Sequence, residues 1–279
     1  VVAEQTDGTK TWRYDSNSAG GILYAGDYIR QDIQAGGATI QLYYGRKHQA
    51  VMEQAGAADA VRAVVDYCTE HYGPLSFSAG GSLKLIQSRV AGGGYAAGGA
   101  SLLDEMDFTA ANLRDGGKGA VPGEVMIHEL VHQWWGLGNM FDTSDPTSPW
   151  SAEGLTVYTT YRIIKELYGD EYARTHYVDQ WQREADDYFQ NFYIRNPAYL
   201  SALPEAYQYN ISNSLTSVLR YSVMPLKILK AERLVGGEAA MDQILHDLFN
   251  RELDWTYPYL TYQEFLDYCG LTEEDLSLD

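Results

Sequence analysis

His128-Glu129-Leu130-Val131-His132 places two imidazoles four residues apart with a carboxylate between them. On an α-helix, residues four apart share one face about 6 Å from each other, so His128 and His132 can address a single ion. Glu129 falls beside that face. A carboxylate that does not itself ligate can take a proton from zinc-bound water, whose pKa the ion lowers to about 7. The implied chemistry is hydrolysis by an activated water, and the bland alternative is a core helix with hydrogen-bonded histidines. Val125, Met126, Ile127, Leu130, Val131, Trp134 and Trp135 make the helix apolar around most of its circumference. It is therefore expected to be buried, and two buried imidazoles flanking a carboxylate demand partners.

A catalytic zinc site normally takes three protein ligands and keeps one open position. A third histidine six residues after His132 is excluded, because Gly138 stands there. The downstream candidates are Asp142, Asp145 and Glu153. Asp142 and Asp145 lie in the turn-rich "FDTSDPTSP", where acids more often cap or face solvent. Glu153 follows Pro149 and Ser151 and opens the segment "SAEGLTVYTTYRIIKELYG", so it projects from the first turn of a helix. A favourable first-turn acid is the structural alternative for it. The remaining histidines, His48, His71, His176 and His246, sit singly on expected helices and read as surface or core residues.

The elements that must position these groups run from strands to helices. "TWRY", "GILYAGDYI" and "ATIQLYYG" alternate with Gly-rich turns and read as a β region over residues 1–45. His48 to Tyr72 fits one amphipathic helix stopped by Gly73-Pro74. "SLKLIQSRV" and "ASLLDEM" read as strands flanking a turn, "AGGGYAAGG". Helices are expected over 123–135, 152–168, 171–193, a segment ending at Val235, 239–250 and 262–268. The fold class is α+β: a β segment over 1–45 leads into a domain over 46–279, or forms one domain with it, and the chain is mostly helical beyond Val121.

With 45% hydrophobic residues, the 279-residue chain can bury a substantial core. Asp and Glu total 38 against 20 Lys and Arg, and a formal charge of −18 opposes binding to nucleic acid or anionic lipid. The two cysteines, Cys68 and Cys269, are far apart in sequence and suggest no thiolate metal site. No apolar run approaches the roughly 18 to 20 residues of a membrane span. The start "VVAEQTDGTK" lacks an initiator Met and a signal-peptide core, so the chain reads as a piece of something longer. Its 23 tyrosines suit an extracytoplasmic domain, attached to a membrane only through other parts of the parent protein, or reflect composition drift, and localisation stays open.

"HELVHQWWG", then "WSAEGLTVYTTY", then "RYSVMPLKILKAERLVGG" resemble the catalytic domain of the M1 aminopeptidase family, gluzincins of thermolysin-like fold. The likeness covers most of the chain. It implies one zinc ion on His128, His132 and Glu153, Glu129 as general base, and peptide or protein substrates. It also implies a tyrosine that steadies the oxyanion. Tyr221 matches, lying shortly before Pro225 and a helix that ends at Gly236-Gly237, with Tyr207 and Tyr209 as rivals. Two departures stand out. The 20 residues between His132 and Glu153 are two more than the family's usual spacing, a change that a loop absorbs at little cost. Where the family's Gly-x-Met-Glu-Asn holds a substrate's free amine with its Glu, this chain reads "GGYAA", with Ala96 at the acid's place. The resemblance thus implies a zinc peptidase of doubtful aminopeptidase specificity, with a zinc-stabilised, non-catalytic binding or sensory domain as the alternative.

Overall fold

A computed structural model describes residues 3–11, 24–75, 82–88, 94–97, 99–104, 124–137, 139–140, 150–254 and 256–278. Strands β1 (Ala3–Glu4) and β2 (Lys10–Thr11) form a short antiparallel ladder. The main sheet has five strands: β3 (Tyr28–Ala35), β4 (Ala38–Gly45), β5 (Ser82–Ser88), β6 (Gly94–Ala97) and β7 (Ala100–Asp104). Their spatial order is β3-β4-β5-β7-β6, with β4, β5 and β7 parallel and both edge strands antiparallel to their neighbours. Along β4 the side chains of Ala38, Ile40, Leu42 and Tyr44 are buried while those between them are half-buried, the period-two pattern of a sheet covered on one face.

Gly36 and Gly37 make the β3–β4 turn with φ of 54° and 75°, the doubly positive pair that a two-residue hairpin requires. A Cβ on Gly36 would lie 2.3 Å from Thr69 Oγ1, so the turn also sits tightly on the next helix. The crossover from β4 to parallel β5 is made by α1 (Gln49–Ala55) and α2 (Ala57–His71). Where the spacing suggests one helix over 48–72, Gly56 adopts φ 68° and divides it. A second expectation is corrected at "AGGGYAAGG". Part of this stretch is strand β6, because Ala97 pairs with Ala100 and leaves only two residues for the turn. Gly94, Ala96 and Ala97 carry no strand signal of their own, and pairing with β7 imposes the extended form on them and on Tyr95.

Helix α3 (Glu124–Val131) packs Met126, Ile127, Leu130 and Val131 into the core. It ends earlier than its apolar pattern suggests. Gln133 N–H bonds the Leu130 carbonyl and Trp134 N–H the Val131 carbonyl, a tightened last turn, and Trp135-Gly136 (β8) then pairs with Asn139-Met140 (β9). Helix α4 (Glu153–Tyr168) follows, then α5 (Asp179–Gln190), α6 (Glu205–Val218), α7 (Met224–Val235), α8 (Glu238–Phe249) and α9 (Tyr262–Cys269). Two π-turns, Arg174–Val178 before α5 and Leu219–Val223 between α6 and α7, interrupt the α geometry. Helix α9 opens with a reciprocal capping box between Thr261 and Glu264. Among the described residues no helix is long and apolar enough to cross a membrane.

A single apolar cluster joins sheet and helices, with Trp134, Trp135 and Trp150 fully buried in it. Trp134 Nε1 donates to the Gly73 carbonyl at 2.8 Å, and Trp135 Nε1 to Thr159 Oγ1 at 3.0 Å, so these two indoles spend their one polar group on a neighbouring element. Beyond Thr159 on the same helix, Arg162 is 5% exposed. Its guanidinium donates to Tyr158 Oη at 2.8 Å and to Asp242 Oδ2 at 3.1 Å, and faces Glu232 Oε2 at 3.4 Å. These bonds lock α4 to α7 and α8. Removing one member of a buried ionic group strands the others, so Arg162→Leu is expected to cost about 3–5 kcal/mol in urea unfolding. Adding Glu232→Leu should restore part of that loss.

Candidate metal centre

His128 lies on α3 and His132 directly follows its last residue, and the His132 N–H still bonds the His128 carbonyl at 3.2 Å, so the two keep helical register one turn apart. Their rings are 4.8 Å apart and nearly perpendicular. Glu153, the first residue of α4, presents Oε2 at 3.3 Å from His128 Nε2 and 3.5 Å from His132 Nε2. One ligand atom from each of the three residues lies within 4.8 Å of the other two, and this is the one such group of potential metal ligands among the described residues. Asp142 and Asp145, the other candidates for third ligand, lie outside the described residues.

The local fold brings α4 to this point. Gly136, at φ 91°, turns the chain after α3, and a Cβ there would sit 3.5 Å from Ala152 and 3.6 Å from His132 Nδ1. The turn therefore lies against the start of α4. On the far side of the His132 ring, Nδ1 is 3.2 Å from the Trp135 carbonyl and 3.1 Å from Thr156 Oγ1. A carbonyl can only accept, so Nδ1 donates to it, and Nε2 is the ring nitrogen that faces Glu153.

Glu153 is the most informative residue of the group. Oε2 is buried and has no hydrogen-bond donor aligned with it, although two imidazole nitrogens lie close by. Burial alone would raise its carboxyl pKa, but the contacts and charge of His128 and His132 outweigh burial and hold it well below the usual carboxylate range. Burial likewise opposes charge on His132, whereas Glu153 first and Glu129 after it raise its pKa. A divalent cation fits this donor set. Two neutral imidazoles and one carboxylate are a common zinc complement, and a cation satisfies the orphaned oxygen.

Glu129 is 6% exposed and points away from bulk solvent toward β6. A Cβ on Gly94 would fall 2.3 Å from its carboxylate carbon and Oε1, so only glycine allows β6 to run this close. The β6–β7 hairpin is tied to α3 by three further bonds. Ser101 Oγ donates to the Glu129 carbonyl at 2.8 Å, Gln133 Nε2 to Ser101 Oγ at 3.3 Å, and Gly99 N–H to Gln133 Oε1 at 3.2 Å. Ala96, at the place of the expected amine anchor, pairs in register with Ser101.

Tyr221 sits in the second π-turn, its ring 6.2 Å from that of His128. Burial first, then the charge of Glu153 and a hydrogen bond to it, push its pKa well up, so the phenol stays protonated. The rivals Tyr207 and Tyr209 are 65% and 66% exposed on α6. The single histidines are engaged elsewhere or exposed: His71 faces Asp242, His176 stacks on Tyr172, and His246 lies at the surface beside Asp247. The sequence reading missed Thr156, Gly94 and the Ser101–Gln133 pair. Of these only Thr156, three residues after Glu153 on the same helix face, carried a usable signal.

No protein-family profile matches the sequence. Leukotriene A-4 hydrolase of Xenopus laevis is 28% identical over 113 residues, which cover 40% of this chain and 18% of that protein. The M1 zinc metallopeptidase of Deinococcus radiodurans superposes with a TM-score of 0.52 at 20% identity, over 90% of this chain and 51% of its own. Yeast leukotriene A4 hydrolase in complex with bestatin superposes with a TM-score of 0.58 at 15% identity, over 87% of this chain and 36% of its own. The chain has the fold of the M1 zinc metallopeptidases. It spans about half or less of the length of these relatives.

Within that M1 fold, Glu153 and Thr156 carry separable burdens. Glu153→Ala is expected to abolish stoichiometric metal, read by elemental analysis after purification. Thr156→Val removes one of the two contacts on His132 Nδ1, and zinc affinity in a chelator competition should fall about tenfold.

Proposed function

We propose that the chain is a zinc-dependent peptidase of the M1 type, with His128, His132 and Glu153 as metal ligands. The observation that carries this reading is the convergence of those three residues on one point, with the buried Glu129 carboxylate on the adjoining turn of the same helix. A bound zinc ion supplies Lewis acidity, polarising the scissile carbonyl and lowering the pKa of water to about 7. Glu129 takes the proton from the attacking water and returns it to the leaving amine nitrogen. Tyr221, kept protonated by burial and by Glu153, donates a hydrogen bond to the oxyanion as the carbonyl carbon becomes tetrahedral. Glu129→Gln keeps the shape of the side chain and removes its basicity. Stoichiometric zinc should remain while turnover falls by at least a hundredfold, and full activity in this variant would remove Glu129 from the mechanism.

Substrate selection differs from that of an aminopeptidase. "GGYAA" offers no acid at Ala96 to hold a free α-amino group, and β6 is the edge strand of the sheet, beside Glu129. An extended substrate laid along that edge is held by backbone hydrogen bonds that do not depend on a chain end. Peptides with free and acetylated N-termini are therefore expected to be cleaved at similar kcat/KM. A strong preference for the free amine would overturn this specificity. The missing anchor also favours a second reading, a zinc-stabilised binding domain without turnover, which a wild-type protein inactive on both peptides would support.

A further inference from the structure

Tyr221 lies at the one place between 205 and 235 where the helical ladder is open. Pro225 has no N–H, so the Tyr221 carbonyl cannot receive the bond that residue i+4 gives in an α-helix. The chain widens there into the π-turn Leu219–Val223, closed by the Met224 N–H on the Leu219 carbonyl. Elsewhere along α6 and α7 the backbone ladder fixes how each side chain is rotated about the helix axis. Within a π-turn that constraint is relaxed, and side-chain anchors must supply it.

Such an anchor is the next residue. Ser222 is 1% exposed, and its hydroxyl donates to Glu184 Oε2 on α5. The other carboxylate oxygen, Oε1, accepts from Gln180 Nε2 at 2.8 Å, which fixes the carboxylate on its own helix. Consecutive residues of the π-turn are thus tied in different directions: Tyr221 to Glu153 in the metal group, and Ser222 to α5. We propose that Ser222 and Glu184 are positioning residues, which set the rotation of the π-turn and so aim the Tyr221 hydroxyl at the metal group. The phenol hydroxyl stands at the end of a long lever from the helix axis. A small rotation displaces it by about 1 Å, enough to cost on the order of 100-fold in rate. The kinetic consequence rests on the role proposed above for Tyr221; the geometric one does not.

The test separates the two. 3-Fluorotyrosine placed site-specifically at 221 in the zinc-loaded protein reports the ring's surroundings by fluorine NMR without any turnover. Ser222→Ala and Glu184→Leu should each shift or broaden that resonance, whereas Glu184→Gln, which keeps an acceptor for the serine hydroxyl, should leave it near its wild-type position. An unchanged resonance in both Ser222→Ala and Glu184→Leu would overturn the inference. In peptide hydrolysis, Ser222→Ala should lower kcat by roughly 10- to 100-fold with zinc content and KM nearly unchanged. In a Tyr221→Phe background the same substitution should cost nothing more, while an additive loss would show that Ser222 acts other than through Tyr221 and would also overturn it. If the wild type hydrolyses no peptide, the peptidase reading fails and the fluorine readout still decides this one.

Discussion

Two imidazoles and a carboxylate crowd one half-buried point where α3 ends and α4 begins, and the surrounding structure answers to the cost of that crowding. A carboxylate oxygen without an aligned donor is expensive in a protein interior. Glu153 occupies the first position of α4, where the positive end of the helix dipole offsets part of its charge. The remainder falls to the neighbouring imidazoles or to a cation between them. Trp135 contributes twice, its carbonyl fixing the His132 ring and its indole nitrogen bonding Thr159 further along α4. Further along α4, Arg162 is bonded to Tyr158 and Asp242, so the helix that begins at Glu153 is held at a second point.

The group is gripped from opposite sides by different means. On the sheet side, the Ser101–Gln133–Gly99 bonds clamp the β6–β7 hairpin to α3, and Gly94 gives the Glu129 carboxylate its room. On the helical side, Tyr221 approaches from a π-turn whose neighbour, Ser222, is bonded to α5. The first grip is a set of backbone and amide contacts on a strand, and the second is a side-chain tether on a helix freed from α geometry by Pro225. Both hold Glu129 and Tyr221 on defined elements, which is what the catalytic roles proposed for them above would require.

Much of this was legible because it rests on local periodicity. His128 and His132 share a face by arithmetic alone, and the start of α4 at Glu153 follows from the turn residues before it. The strands β4, β5 and β7 and the helices α4, α8 and α9 announce themselves by apolar spacing, whereas α6 reads only as part of a segment ending at Val235. What escaped the sequence lacked a clear local signal. β6 has Tyr95 as its one strand-favouring residue among glycine and alanines, and pairing with β7 decides its conformation. Gly56 divides a helix whose apolar pattern continues across it. The π-turn could not be read from Pro225, since a proline preceded by helix-forming residues fits a new helix start equally well. Asp142 and Asp145, left open as ligands by the sequence, fall outside the described residues, so Glu153 stands on its geometry rather than on their exclusion.

The edge position of β6 gives the change at Ala96 its physical meaning. Backbone donors and acceptors recur identically along any extended peptide, so a sheet edge by itself binds one register as well as the next. A site that must find the first residue of a chain needs something the rest of the chain lacks, and at neutral pH that is the charged α-amino group. An acid on the strand supplies the discrimination, because leaving it unpaired when an internal segment binds costs several kcal/mol. An alanine on β6 has no such penalty to impose. For the peptidase proposed above, positions along a bound peptide would then be distinguished only by their side chains, and any preference would come from the surfaces flanking the edge rather than from the edge itself.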